Sequence, residues 1–261
     1  MLLKLLKYDI KSIALKMLTV FGVFAFVCIL MPPFIGLIQK NFAIDFMALT
    51  IPIGAMALCI LVIVFIFQRY RNNLYGSEGY LMFTLPIKGR YLLVSKLITA
   101  FLWITVGFIL GCASIISVVF ALTPVKEIVS AFNEIMSYSV INFSTISLAI
   151  VMYVISMAQF ILQVFFAITV SKLPIWRKFG VIVGVLTFLA INYLGAIPQA
   201  FVSPSNNYEV RDGFAIKMVV NAISRNFTWS GQAITIIIGL VLTIGLFIAT
   251  TALIEKSTSL K

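Results

Sequence analysis

The chain has 261 residues, 62% of them hydrophobic and only 10% charged, with a formal charge of +11 and no histidine. Soluble domains carry about 25% charged residues, and a water-soluble fold of this length could not cover so much apolar surface, because much of its exterior must face water. A mean hydropathy of +1.14 points instead to a chain dissolved in lipid. The absence of histidine removes the commonest general base and metal ligand. The three cysteines, Cys28, Cys59 and Cys112, all lie in apolar runs at spacings that match no zinc pattern, so they read as small hydrophobes.

In chain order, MLLKLLKYDIKSIALK comes first. Lys4, Lys7 and Lys11 fall three and four apart, while Leu3, Leu6, Ile10 and Ile13 or Ala14 fall on another stripe. This predicts an amphipathic interfacial helix over residues 1–14 that turns into a first span; the plainer alternative is a basic flank. Six stretches without Asp, Glu, Lys or Arg are long enough to cross a bilayer, for which about 20 residues are needed. They are Met17–Ile38, Phe46–Phe67, Leu97–Leu122, Ile146–Val170, Gly180–Phe201 and Gln232–Leu253. The first follows lysines as a signal peptide would, but it is too long and lacks a small-x-small cleavage site, so a retained anchor is expected. Pro32 and Pro33 should bend or break its far end, and Pro52 should disturb the start of the second span.

The segments between spans differ in character. Residues 68–96 form a long loop between spans two and three. In Thr123–Thr145, Ile128, Phe132, Ile135 and Met136 suggest a short amphipathic helix, and 171–179 is a short basic loop. The 202–231 loop opens with turns (SPSNNYEVRDG) and continues with FAIKMVVNAIS, too short and too charged for a further span. The whole chain thus reads as one all-α transmembrane domain over residues 1–261.

Charge placement sets the orientation. Lys4, Lys7, Lys11 and Lys16, then Arg69, Arg71, Lys88, Arg90 and Lys96, then Lys172, Arg177 and Lys178, then Lys256 and Lys261 all fall on one side, with only Asp9, Glu78 and Glu255 against them. The other side balances, so the whole formal charge lies on one face. The positive-inside rule makes that face cytoplasmic, with both termini inside. Anionic lipid headgroups account for the basic residues, and no nucleic acid is needed.

Chemistry-bearing patterns are sparse. GxxxxGK[ST], HExxH, CxxC and GxSxG are all missing, so no cofactor and no catalytic role are expected of this chain itself. The spans contain no ionisable side chain, which argues against a proton- or sodium-coupled carrier; carriers that use backbone carbonyls at broken helices remain open. Gln159 and Gln163, one turn apart in the fourth span, and Asn192 in the fifth would either line a route or hydrogen-bond between helices. If such a protein moves cargo against a gradient, the energy comes from outside the chain. In residues 72–96, NNLYGSEGYLMFTLPIKGRYLLVSK, Glu78 lies near the start of a short helix, where free N–H groups favour an acid. YLMFTL makes an apolar-aromatic patch that Pro86 ends. This reads as a knob for a partner's groove or as an interfacial turn anchored by Tyr80 and Phe83.

The run RYRNNLYGSEGYLMFTLPIKGRYLLVSK, residues 69–96, directly after a second span, resembles the permease subunits of bacterial ABC-2 type exporters, particularly those of low-GC Gram-positive bacteria. The amphipathic start, six spans with both ends inside and a larger outer loop between spans five and six are similar as well. The resemblance implies a separate ABC ATPase subunit in two copies that binds ATP and Mg, and a second permease, identical or homologous. It makes Gly76–Pro86 a coupling helix entering a cleft on the ATPase. Glu78 would be the acid of the motif and Tyr80, Leu81 and Phe83 the docking face, with Gly79 and Pro86 shaping the segment and Ser171–Phe179 a minor contact. The 214–224 stretch resembles short helices that close the exit side. Spans of Ile, Val, Leu and Phe suit an amphipathic, peptide- or lipid-like cargo. The expectation is therefore an exporter subunit in the plasma membrane that works by alternating access. The rivals are a non-transport sensor or assembly subunit, an ion-independent secondary transporter and, less in keeping with the uncharged spans, an intramembrane enzyme.

Overall fold

A computed structural model describes residues 2–30, 42–76, 89–137, 143–173, 179–202 and 229–258. Within them the chain is all helix: α1 (Leu2–Ala25, continued by a π-helical turn, Phe26–Leu30), α2 (Phe42–Tyr75), α3 (Gly89–Leu122), α4 (Val125–Ser137), α5 (Phe143–Ser171), α6 (Gly180–Val202) and α7 (Trp229–Thr258). In lipid, helices satisfy every backbone group within one segment, which is why long apolar runs take this form. Among the described residues five helical stretches are long and apolar enough to cross a membrane: Leu3–Ile29, Thr50–Tyr75, Gly89–Phe120, Phe143–Ser171 and Gln232–Glu255. The sixth expected span falls in α6, whose apolar stretch Gly180–Gly195 is shorter. Ile53, Met56, Ile60, Phe108, Ile116, Val181 and Ile244 stand exposed on these helices, as lipid-facing side chains do. The chain is an all-α polytopic membrane protein.

Several boundaries differ from the sequence reading. Leu2–Ala25 is one uninterrupted helix, so the segment expected as an interfacial helix runs into the first span with no turn between them. The helix α2 passes straight through Pro52, whose ring is exposed and so displaces no core neighbour. The 68–96 loop shrinks because helix occupies both ends, α2 reaching Tyr75 and α3 starting at Gly89. Charges did not stop these helices. Ile66, Tyr70, Asn73 and Leu74 on α2 and Leu92, Leu93, Ser95 and Lys96 on α3 are buried, so the packing stripe continues past the apolar run while Arg71 and Arg90 point outward. Gly76 closes α2 with its N–H on Asn72 O at 3.0 Å; a Cβ there would lie 2.4 Å from that oxygen, so only glycine fits. The short outer helix expected in 123–145 is α4. Pro124 separates it from α3, and Glu127 in its first turn suits the helix dipole.

The chain forms two compact units, Met1–Ala131 and Phe132–Lys261. In the first, α3 packs against both α1 and α2. The α1 face is the stripe Ile13, Met17, Phe21, Phe24 and Cys28, spaced three or four apart and all buried. Two glycines let the backbones approach. A Cβ on Gly54 would meet Cys28 Sγ at 3.3 Å, and one on Gly107 would meet Val62 at 3.3 Å and Phe21 at 3.8 Å. Phe21 also packs on Trp103, ring centroids 5.9 Å apart. In the second unit α5 is central and packs on α6 and α7. There Phe160 meets Phe188 edge-on at 6.3 Å, and α6 starts at Gly180, where a Cβ would collide with Ser171 O at 2.5 Å.

The π-helical turn Phe26–Leu30 is the last described part of the first helix, and Pro32 and Pro33, expected to bend or break it, lie outside the described residues. Ser117 Oγ on α3 donates to Ile29 O at 2.8 Å, serving a carbonyl that lipid could not. Ser117→Ala should therefore lower stability in a bilayer mimetic by about 1–3 kcal/mol, read by thermal unfolding. Ser117→Thr, which keeps the hydroxyl, should retain most of it.

Candidate functional site

The buried stripe of α1 does not end at Ile13. One turn earlier it continues to Asp9, only 1% exposed, so an acid occupies a position where the 3–4 spacing calls for an apolar side chain. Lys4, Lys7, Lys11 and Lys16 lie on the opposite side, exposed. Facing Asp9 from the first turns of α3 are Ser95 (0% exposed) and Lys96 (6%). The Lys96 ammonium forms a buried ion pair with Asp9 Oδ1, and Ser95 Oγ donates to Asp9 Oδ2 at 2.9 Å. Leu92 O also lies 3.2 Å from Ser95 Oγ, but a hydroxyl has one proton and the charged acceptor binds it more strongly. Both carboxylate oxygens are thus engaged. The backbone is fixed too, since Ser12 Oγ donates to Asp9 O at 2.9 Å.

A third helix reaches the same level. Starting from the Cys28–Gly54 and Val62–Gly107 approaches and counting equal numbers of residues down each antiparallel helix, Asn73 of α2 falls level with Asp9 and with Lys96. Asn73 is 1% exposed. One turn further along α2, Arg69 Nε is buried with no hydrogen-bond partner among the described residues. Deeper in this unit Trp103 Nε1 is in the same position, beside Phe21. The ion pair, Ser95, Asn73 and Arg69 therefore lie toward one end of α1, α2 and α3.

This node was missed in the sequence, where Asp9 and Lys96 counted only toward net charge and the spans were held free of ionisable groups. The helices extend beyond the uncharged windows and bring the two residues together. The apolar stripe of the N-terminal segment was also assigned differently. Leu3, expected on the lipid-facing stripe with Leu6, Ile10 and Ile13 or Ala14, is 77% exposed, and the line packed within the protein is Asp9, Ile13, Met17. The signal was there: Asp9 is the one acid in the sequence before Asp45, and it lies on the line that Ile13, Met17 and Phe21 continue.

The candidate coupling residues Glu78, Gly79, Tyr80, Leu81, Phe83 and Pro86 lie outside the described residues, as does the 214–224 stretch. The amides of the second unit are described. Gln163 is buried on α5, and Gln159 on the same face lies between two glycines. A Cβ on Gly195 of α6 would sit 3.7 Å from Gln159 Nε2, and one on Gly239 of α7 would sit 3.8 Å from Oε1. The amide thus occupies the seam where three helices meet. Asn192 is exposed and donates to Phe188 O on its own helix at 2.8 Å, so it is not gathered with the two glutamines by any described contact. Among the described residues no three His, Cys, Asp or Glu side chains cluster as metal ligands would.

Compared with protein-family models, with curated proteins and with solved structures, the chain matches none.

Removing one partner of the node leaves a charge buried alone. Lys96→Met should cost about 3–5 kcal/mol in unfolding measured in lipid nanodiscs. Ser95→Ala, which removes one hydrogen bond to a charged group, should cost about 1.5–3 kcal/mol.

Proposed function

We propose that this chain is the membrane-spanning subunit of an ATP-driven exporter of the ABC-2 type, paired with a second permease copy or relative and driven by two separate ATPase subunits. The observation that carries the reading is the EGYL–TLP segment, Glu78–Pro86, set between two helices whose adjoining turns are buried. A segment that receives force from a partner is useful only if its stems are rigid. Here α2 is packed through Tyr70, Asn73 and Leu74, and α3 is tied to α1 by the Asp9–Lys96 pair. A push at the segment would therefore move helices rather than melt them. ATP and Mg belong to the partner subunit, and this chain supplies the receiving segment, the levers and the membrane route.

The basic face, with Glu78 and both termini, is cytoplasmic on this reading, next to the ATPase and the anionic headgroups. Tyr80, Leu81 and Phe83 form the apolar docking face, Gly79 and Pro86 delimit it, and the loop at 171–179 is a lesser contact. The cargo is amphipathic, a peptide or lipid-like molecule, because the helices offer Ile, Val, Leu and Phe with few polar groups. Gln159, beside Gly195 of α6 and Gly239 of α7, and the buried Gln163 are the amides that would serve a route or helix contacts there.

Glu78→Lys tests the assignment. An ATPase whose gene adjoins this one should be stimulated when the permease is added in liposomes, and charge reversal should remove that stimulation by roughly tenfold or more, with insertion into the membrane unchanged. Full stimulation by the Glu78→Lys chain would overturn the coupling role.

A further inference from the structure

We propose that the Asp9–Lys96 pair is a releasable clasp. It closes the charged end of α1 onto the root of α3 and opens as far as Ile13, while the apolar packing from Met17 onward stays intact.

The first argument concerns what a permanent attachment would need. Apolar side chains of similar volume hold two helices at least as well as a buried ion pair does. The stripe Ile13, Met17, Phe21 and Phe24 already supplies such packing, and the Ser117–Ile29 bond fastens the other end. Charges add nothing to permanence. What they add is a different energy for the open state. An apolar contact that parts in water exposes hydrocarbon surface at a cost that nothing offsets, whereas separated charges recover their hydration. A charged contact can be tight when shut and cheap to open, provided water reaches it.

The second argument is that water or headgroups do reach this end. Lys4, Lys7 and Lys11 flank Asp9 on the outer side of α1, all exposed, and such lysines are found where they meet the interface. On α3, Arg90 is exposed one turn or more before the node and lies 5.2 Å from the Tyr91 ring. The third argument is the polarity of the seam. Counted along the helices, Asn73 is level with the pair and buried, and Arg69 Nε, one turn before it, has no partner among the described residues, so α2 carries polar groups at this level rather than only hydrocarbon. Ile13 marks where this polar region ends and apolar packing begins.

The clasp is independent of the exporter reading; only the identity of what drives its opening rests on it. It is tested on the full chain in lipid nanodiscs without any partner. Cys28, Cys59 and Cys112 are replaced by Ala, and Ile13→Cys reports opening through its rate of reaction with a charged maleimide. Relative to this parent, Asp9→Asn should label at least about tenfold faster. The apolar pair Asp9→Leu with Lys96→Met should label at least about tenfold slower. The swapped pair Asp9→Lys with Lys96→Asp should label within a few-fold of the parent. An apolar pair that labels at the parental rate would overturn the proposal, because the exposure would then owe nothing to the charges. Equal rates for Asp9→Asn and the parent would overturn it too; should Asp9→Asn not insert, Lys96→Met makes the same comparison. Glu78→Lys leaves the pair intact and should label as the parent does, so failure of the exporter reading appears in the ATPase assay alone.

Discussion

A carboxylate and an ammonium held out of water at the end of α1 organise the first unit of this protein. Each charge alone in such a place would cost several kcal/mol, and only mutual pairing together with the Ser95 hydroxyl makes their burial tolerable. That requirement acts as a constraint on geometry. Asp9 has to face α3, which sets the rotation of α1 about its axis, and with it the line of Ile13, Met17, Phe21 and Cys28 that packs on α2 and α3. The lysines are thereby turned outward. At the other end the same pair of helices is joined by Ser117, whose hydroxyl donates to the Ile29 carbonyl. Apolar contact fills the length between two polar fastenings, and glycines at 54 and 107 bring the backbones close enough for it.

The consequence for function runs through the link between α2 and α3. Both helices extend about two turns beyond the uncharged windows, and the added turns are packed. On the exporter reading this turns a long flexible loop into a short segment on stiff stems, which is what transmission from a soluble motor requires. The clasp adds a contact that holds those stems to α1 in one state and lets them go in another. The second unit is built differently. Its buried polar side chains, among the described residues, are neutral: Gln163 is buried, and Gln159 lies against Gly195 and Gly239. Threonines 169, 243 and 250 return their hydroxyls to their own helix backbone. Helices joined by neutral amides and small residues adjust to one another at little electrostatic cost, unlike the paired charges of the first unit.

The membrane class and most helices were legible from composition and apolar runs alone, because an uncharged stretch longer than the bilayer core has few other places to go. The charged face of α1 was legible from the three- and four-residue spacing of its lysines. So was α4, from the apolar spacing of VKEIVSAFNEIM. Helix ends were less so. Hydropathy reports where lipid begins, whereas a helix ends where its packing and backbone partners end. Thus α2 ran past Arg69 and Arg71 to a glycine that alone fits its last turn, and Pro52 was passed without a break.

By itself, the order of residues determined that this chain lives in a membrane as helices, that its basic residues lie outside the apolar runs, and that the 69–96 run carries an unusual segment. Those properties are local sums over neighbouring side chains, and neighbours are what a sequence displays. Only the tertiary structure decided that Asp9 and Lys96 are partners, that Ser117 serves the Ile29 carbonyl, and that Gln159 sits between two glycines. Each joins residues far apart in the chain, and each depends on the rotation and offset of one helix against another. Those quantities come from how whole helix faces pack, and no single stretch of sequence holds them.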